Sequence, residues 1–327
     1  LDAESTDGGG ARGTHARTEL KLRSNSCPPY SRRFSPNAFR RPFVALAIAI
    51  CAALLTGARC YPPGTRVIVF VQGVYTTYDK NGTQATIAEG QRFNVLKNAF
   101  AAKGYTRTAL LDFSYAGGTV RHDGSWRPEP YPCELTDRSA NDNLAVLETM
   151  LRDYGAHHPR AHFTLVGHSL GGYLVFLEGA REAGRTEAAK LGIDAVVTLD
   201  APLKGVAPDK KTVIDIIPCD KTYLAGAEIV GQRLDPGTPE VRSGQARAMA
   251  QQGIRLATFG NQLDCLWNPG VCVPALPWVD DSGTQVLPGD AARSQMYRIE
   301  SVPLASHDAI LADAAVGGEV VGFVGPP

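Results

Sequence analysis

The chain has 327 residues, 44% of them hydrophobic, and its 33 Lys and Arg balance 33 Asp and Glu. A chain of this size makes one large domain, or one domain with an insertion, and the apolar share is ordinary for a protein with a sizeable core. Zero formal net charge gives no electrostatic reason to expect a nucleic-acid partner.

Residues 1–42 are rich in Arg, Ser, Gly and Pro, with eight basic side chains against four acidic ones. Thirteen uncharged residues follow, from Phe43 to Leu55, and then Thr56, Gly57 and Ala58. A basic flank, a short apolar core and small residues describe a secretory signal peptide, here cleaved after Ala58. A membrane span needs about 20 apolar residues, so an uncleaved membrane anchor is the weaker alternative. Arg40-Arg41 resembles a twin-arginine export pattern but lacks the preceding Ser or Thr, and Arg59 before Cys60 argues against a lipoprotein. The first Met is Met150, so a non-Met start codon or a start further downstream is expected. The chain thus divides into an extension and signal, 1–58, and a folded domain, 59–327.

Taking eight basic and four acidic groups away with residues 1–58 leaves 25 and 29, a net charge of −4. Five cysteines remain: Cys60, Cys133, Cys219, Cys265 and Cys272. An exported chain permits disulfides. Cys265 with Cys272 is the first expected pair and Cys133 with Cys219 the second, leaving Cys60 over; free buried thiols are the alternative.

Residues 65–71 form a nearly all-apolar, β-branched run that predicts a strand buried on both faces. Phe93, Leu96 and Phe100 repeat at helical spacing, and Gly104 stops that helix. Residues 108–113 read as the next strand. Residues 115–137 lack periodicity and are expected to loop over the top of the sheet. Ser139 with Asp142 predicts a capped helix start, and Leu144, Leu147, Leu151 and Tyr154 share one helical face. Strands are expected at 161–166, 193–199, 254–259 and 295–302. A helix is expected from Asp308 to about residue 323, broken at Gly317-Gly318. The stretch at about 203–252 interrupts the alternation and reads as a cap insertion. Val213 to Pro218 and Tyr223 to Gly226 are candidate pieces of an apolar cover, though mere packing on the sheet is as good a reading. Alternating strands and helices imply an α/β fold of three layers, a mostly parallel central sheet with helices on both faces. Ligands bind such a sheet at the carboxyl ends of its strands.

The most informative segment is Gly167-His168-Ser169-Leu170-Gly171-Gly172, between an apolar strand-like run and an apolar helical run. It matches the G-x-S-x-G turn that holds a serine at the tip of a strand-to-helix junction. The residues two before and two after that serine approach closely, which favours glycine. The following helix N-terminus suits a developing negative charge.

A serine hydroxyl needs a neighbouring base, usually His, and the His needs a carboxylate. His307 is the only histidine after the serine, and it lies between the last expected strand and the last helix. His168 adjoins the serine with its side chain expected to aim elsewhere, as a packing residue; His157, His158 and His162 are expected to cover a helix end. Two acids fit the strand ends. Asp264 follows the penultimate strand and is preferred, because a disulfide at Cys265 would anchor its loop; Asp200, followed by Ala201-Pro202, is the alternative. Asp308 is too close to His307 in the chain to orient it. For the oxyanion, Leu170 N–H is one donor, and Val74 N–H, in Val71-Gln72-Gly73-Val74, the other.

These residues make the chain resemble the lipase and esterase branch of the α/β-hydrolase superfamily, over residues 62–325. The resemblance implies hydrolysis of carboxylic esters, of lipid or other acyl type, through Ser169, His307 and Asp264 and an acyl-enzyme, without metal or organic cofactor. The expected partner is a small-molecule or lipid ester, with contact to a lipid interface left open. The same residues would serve an acyltransferase, a thioesterase or an amidase; a non-catalytic protein on this fold is the further alternative. Many members carry His-Gly where this chain has Gln72-Gly73, so the hydrogen bonds supporting the oxyanion loop must differ here.

Overall fold

In the first strand, β1 (Thr65–Val71), Val67, Val69 and Val71 join one hydrophobic cluster while Ile68 and Phe70 join another. Successive strand side chains point to opposite faces, so a strand apolar at every position is one covered on both. The computed structural model describes residues 65–74, 76–78, 84–86, 93–206, 228–229, 231–232, 234–262, 287, 289–299 and 306–327. All belong to the unit Tyr61–Pro327. The expected export segment, the 213–218 and 223–226 cover, Asp264, Cys60, Cys219, Cys265 and Cys272 lie outside the described residues.

After β1 come β2 (Thr76–Tyr78) and β3 (Gln84–Thr86), an antiparallel pair, then helix α1 (Asn94–Ala102) and strand β4 (Leu110–Asp112). Strands β5 (Gly118–Val120) and β6 (Trp126–Pro128) form a hairpin, followed by α2 (Ala140–His157), β7 (Ala161–His168), α3 (Leu170–Gly184) and β8 (Ile193–Leu199). The remainder is α4 (Thr238–Gln251), β9 (Arg255–Asn261), β10 (Arg293–Tyr297), α5 (Ser306–Ala312) and α6 (Ala314–Val324).

Six strands make one sheet in the order β10-β9-β8-β7-β1-β4, every pairing parallel. Helices α2, α3 and α4 pack on one face through Leu144, Leu147, Leu151, Leu174, Phe176 and Met249. On the other face α1, α5 and α6 contribute Leu96, Phe100, Ile310, Val316, Val320 and Val324. The three-layer architecture expected from the alternation is present.

Several local expectations change, and β10 covers Arg293–Tyr297 where 295–302 was expected. Residues 107–109 form a 3-10 turn, so β4 is shorter than 108–113. The 115–137 stretch contains the β5–β6 hairpin; its turn uses Asp123, whose carboxylate accepts from the Ser125 N–H at 2.9 Å, and Gly124 at φ 80°. The break in the last helical segment falls at Asp313, whose side chain caps α6 by accepting from Val316 N–H at 2.9 Å, and Gly317-Gly318 lie inside α6. A cap satisfies backbone donors that a new helix start exposes, which a glycine pair does not. The capping of α2 by Ser139, which accepts from Asp142 N–H at 3.1 Å, is as expected. In the 203–252 stretch, α4 packs against α3 and β9 as an ordinary crossover helix. Its buried Arg242 donates to the Leu203 carbonyl at 2.9 Å and lies over the Tyr173 ring at 5.2 Å.

Strand register decides what meets at the carboxyl edge. Val71 pairs with Gly167, His168 with Leu199, and Leu199 with Phe259. Gln72-Gly73, Ser169, Asp200 and the end of β9 therefore leave the sheet side by side. From β1 the chain passes to β4 on one side and returns to β7 on the other, so the crevice between β1 and β7 is the topological switch point where ligands bind.

Candidate active site

Ser169 sits where β7 becomes α3, with φ 56° and ψ −126°. Asp200, directly after β8, has φ 46°. Among the described residues these are the only non-glycines with positive φ. Such backbone is unfavourable for an L-residue and clusters at functional sites, where the surrounding fold enforces it. Both are buried, Ser169 2% and Asp200 0% exposed.

The glycines around Ser169 are required by contact. A Cβ at Gly167 would stand 2.2 Å from the Gly171 carbonyl oxygen, and one at Gly171 would stand 2.1 Å from that of Val71. The strand end, the helix start and the end of β1 are thus pressed together with no room for a side chain. Ser169 N–H donates to the Leu199 carbonyl at 2.9 Å, and Tyr173 N–H donates to that of Ser169 at 3.1 Å. Leu170 is the first residue of α3, so its N–H has no partner within the helix, and the helix end is positive.

The loop after β1 lies against the serine. A Cβ at Gly73 would be 2.8 Å from Ser169 Cβ and 3.2 Å from its Oγ. Only a bare backbone fits there. Val74 follows in a buried turn.

His307 lies in the first turn of α5 and is buried. His168, Asp200 and His307 each offer one ring nitrogen or carboxylate oxygen, and these three atoms all lie within 4.8 Å of one another. The backbone holds Asp200 at two points: its N–H donates to the Phe259 carbonyl at 2.9 Å, and its carboxylate accepts the Asn261 N–H at 2.6 Å. His168 does not aim away from the site. Its Nε2 lies 2.9 Å from the His307 carbonyl oxygen, and the two rings stand 4.6 Å apart. A carbonyl only accepts, so His168 Nε2 carries the proton and ties the β7 end to the start of α5. His157 caps α2 through the Asp153 carbonyl and His158 stacks on Tyr154, whereas His162 is an exposed residue of β7.

Two imidazoles and a carboxylate are also a possible ligand set for a divalent cation such as zinc. With His168 Nε2 committed to a carbonyl, only its Nδ1 could join such a set.

The chain matches no family model and no curated protein. Among solved structures it is similar to the product of a Listeria innocua gene, with TM-score 0.45, 13% identity, 80% of this chain and 94% of that one. It is also similar to a lipase-esterase related protein from Clostridium acetobutylicum, with TM-score 0.44, 11% identity, 79% of this chain and 94% of that one. A further similarity is to phospholipase PlaB from Legionella pneumophila, with TM-score 0.39, 13% identity and 62% of this chain; it spans 39% of PlaB. A parallel sheet between two helical layers, with a strained serine on the strand-to-helix turn at its switch point, is the α/β-hydrolase fold.

Proposed function

We propose that the protein is an exported serine hydrolase of carboxylic esters. The observation that carries this reading is the convergence, at one sheet edge, of strained Ser169, the bare backbone of Gly73 and the buried Asp200–His307 neighbourhood. Ser169 Oγ attacks the ester carbonyl while His307 takes its proton. The tetrahedral oxyanion is held by the Leu170 and Val74 N–H groups. Collapse expels the alcohol, which takes the proton back from His307, and leaves an acyl group on Ser169. Water, activated by His307, then releases the acid.

For the carboxylate behind His307 we infer Asp200. Its support is proximity to a His307 ring nitrogen, together with one hydrogen bond from its N–H and one to its carboxylate, both with the β9 backbone. Asp264, preferred on sequence, remains the competing proposal. Export through the 1–58 segment, an acyl or lipid substrate, and the pairings Cys265–Cys272 and Cys133–Cys219 belong to the same proposal.

The test is hydrolysis of p-nitrophenyl esters of graded chain length. Ser169→Ala is expected to lose roughly 10⁴-fold or more in kcat and to abolish labelling by a fluorophosphonate. Labelling and turnover that survive Ser169→Ala would sink the reading. The chain-length profile separates a lipase-like from a short-chain esterase.

A further inference from the structure

Two buried hydroxyls hold the loop that carries the second oxyanion donor. Tyr115 Oη donates to the Gln72 carbonyl at 2.7 Å, and Thr76 Oγ1 donates to the Gly73 carbonyl at 3.0 Å. A trans peptide is flat, and its C=O and N–H point in opposite directions. Holding the Gln72 carbonyl therefore sets where the Gly73 N–H points, and holding the Gly73 carbonyl sets the Val74 N–H.

Thr76 itself is held. Its Oγ1 lies 2.8 Å from Tyr131 Oη. A threonine hydroxyl has one proton, and Thr76 uses it on Gly73, so Tyr131 is the donor. The result is a directed chain, Tyr131 to Thr76 to the Gly73 carbonyl, in which each bond polarises the next. The phenols have little freedom. Tyr131 and Tyr78 exchange both backbone hydrogen bonds at 3.0 Å, and the Tyr131 ring meets those of Tyr78 and Tyr115 at 6.3 and 5.4 Å. Thr76, Tyr115 and Tyr131 are all buried.

We propose that Thr76, backed by Tyr131, is the positioning residue of the oxyanion site, aiming the Val74 N–H at the carbonyl oxygen of the ester that Ser169 attacks. This rests on the ester-hydrolase reading above and supplies support for the loop in which Gln72 stands where many members of the resembled family carry His. Neither residue touches substrate; each acts through a peptide plane.

Thr76→Val keeps the side-chain size and removes the hydroxyl. Outright loss of an oxyanion donor costs about 100- to 1000-fold, so a misaimed one is expected to cost roughly 10- to 100-fold in kcat, with KM within about twofold. Affinity for an arylboronic acid, which mimics the tetrahedral species, should fall in step with kcat. Thr76→Ser should restore both, and Tyr131→Phe should show a smaller loss of the same kind. Unchanged kcat and boronate affinity in Thr76→Val overturns the proposal, as does an equal loss in Thr76→Ser, which would implicate the methyl group. If Thr76→Val fails to fold by circular dichroism, Tyr131→Phe decides by the same two measurements. Ser169-dependent turnover with an unaffected Thr76→Val sinks only this inference; absence of Ser169-dependent turnover sinks it together with the ester-hydrolase reading.

Discussion

Helix α3 has a buried polar cluster at each end, and the two are built differently. At its N-terminus, Ser169 and Asp200 have positive φ, and Asp200 lies beside His168 and His307. At its C-terminus, Glu182 accepts the N–H groups of Leu191, Gly192 and Ile193 at 2.9–3.2 Å, fastening the loop that feeds β8. Arg185 pairs there with Glu148, Glu178 and Glu182 at 2.8–3.0 Å. No non-glycine in that cluster has positive φ. Burying polar groups is expensive in either place. The C-terminal cluster offsets the cost with charge pairing and backbone hydrogen bonds in relaxed geometry, which serves stability. The N-terminal cluster adds backbone strain, which fits the proposed chemistry.

The comparison breaks most readily at Asp200. Asp200→Asn keeps an oxygen for the Asn261 N–H, so stability should change little, while kcat on a p-nitrophenyl ester falls roughly 10³- to 10⁴-fold. A larger loss from Asp264→Asn, measured in parallel, would move the acid to that loop. Next in size is Arg185→Leu, which leaves Glu178 buried without its partner. It is expected to cost about 3–5 kcal/mol in urea unfolding, with kcat of the folded fraction unchanged.

That loss should depend on pH. Burial pushes the Glu178 carboxyl above its ordinary range, and Arg185 pulls it back. Between the unfolded value and the raised folded value, Glu178 binds more proton in the folded chain than in the unfolded one. Its contribution to stability therefore declines as pH rises from the unfolded towards the folded value. Without Arg185 that window reaches higher, so the variant should lose more at neutral than at mildly acid pH; an equal loss at both would contradict the pairing. Glu182→Ala, which strands three backbone donors, should cost about 3 kcal/mol, again without a change in kcat. The smallest expected effect is that of EDTA. Unchanged turnover fits a serine mechanism, and loss restored by zinc would assign His168, Asp200 and His307 to a cation.

Legibility in the sequence followed burial. Strands β1 and β8 have the expected bounds, 65–71 and 193–199, because strands covered on both faces read as unbroken apolar runs. The β5–β6 hairpin was not expected because its strands are three residues long and only partly buried, although Asp123-Gly124 marked its turn. The Gly317-Gly318 pair suggested a helix break that the Asp313 cap makes four residues earlier, since packing on the sheet overrides the intrinsic cost of glycine in α6.

By itself, the sequence determined the strand-to-helix turn that carries Ser169, its glycines and the single downstream histidine, since these are local demands of backbone geometry and chain order. Its choice between Asp264 and Asp200 rested on loop position and on a disulfide expected at Cys265. Only the tertiary structure placed Asp200 beside His307, turned His168 onto the His307 carbonyl, and ran Tyr131 and Thr76 behind the Gly73 peptide. Apart from the local Thr76–Gly73 bond, these contacts join residues 55 to 139 positions apart. They depend on which strand ends stand side by side, and that is set by sheet order and register.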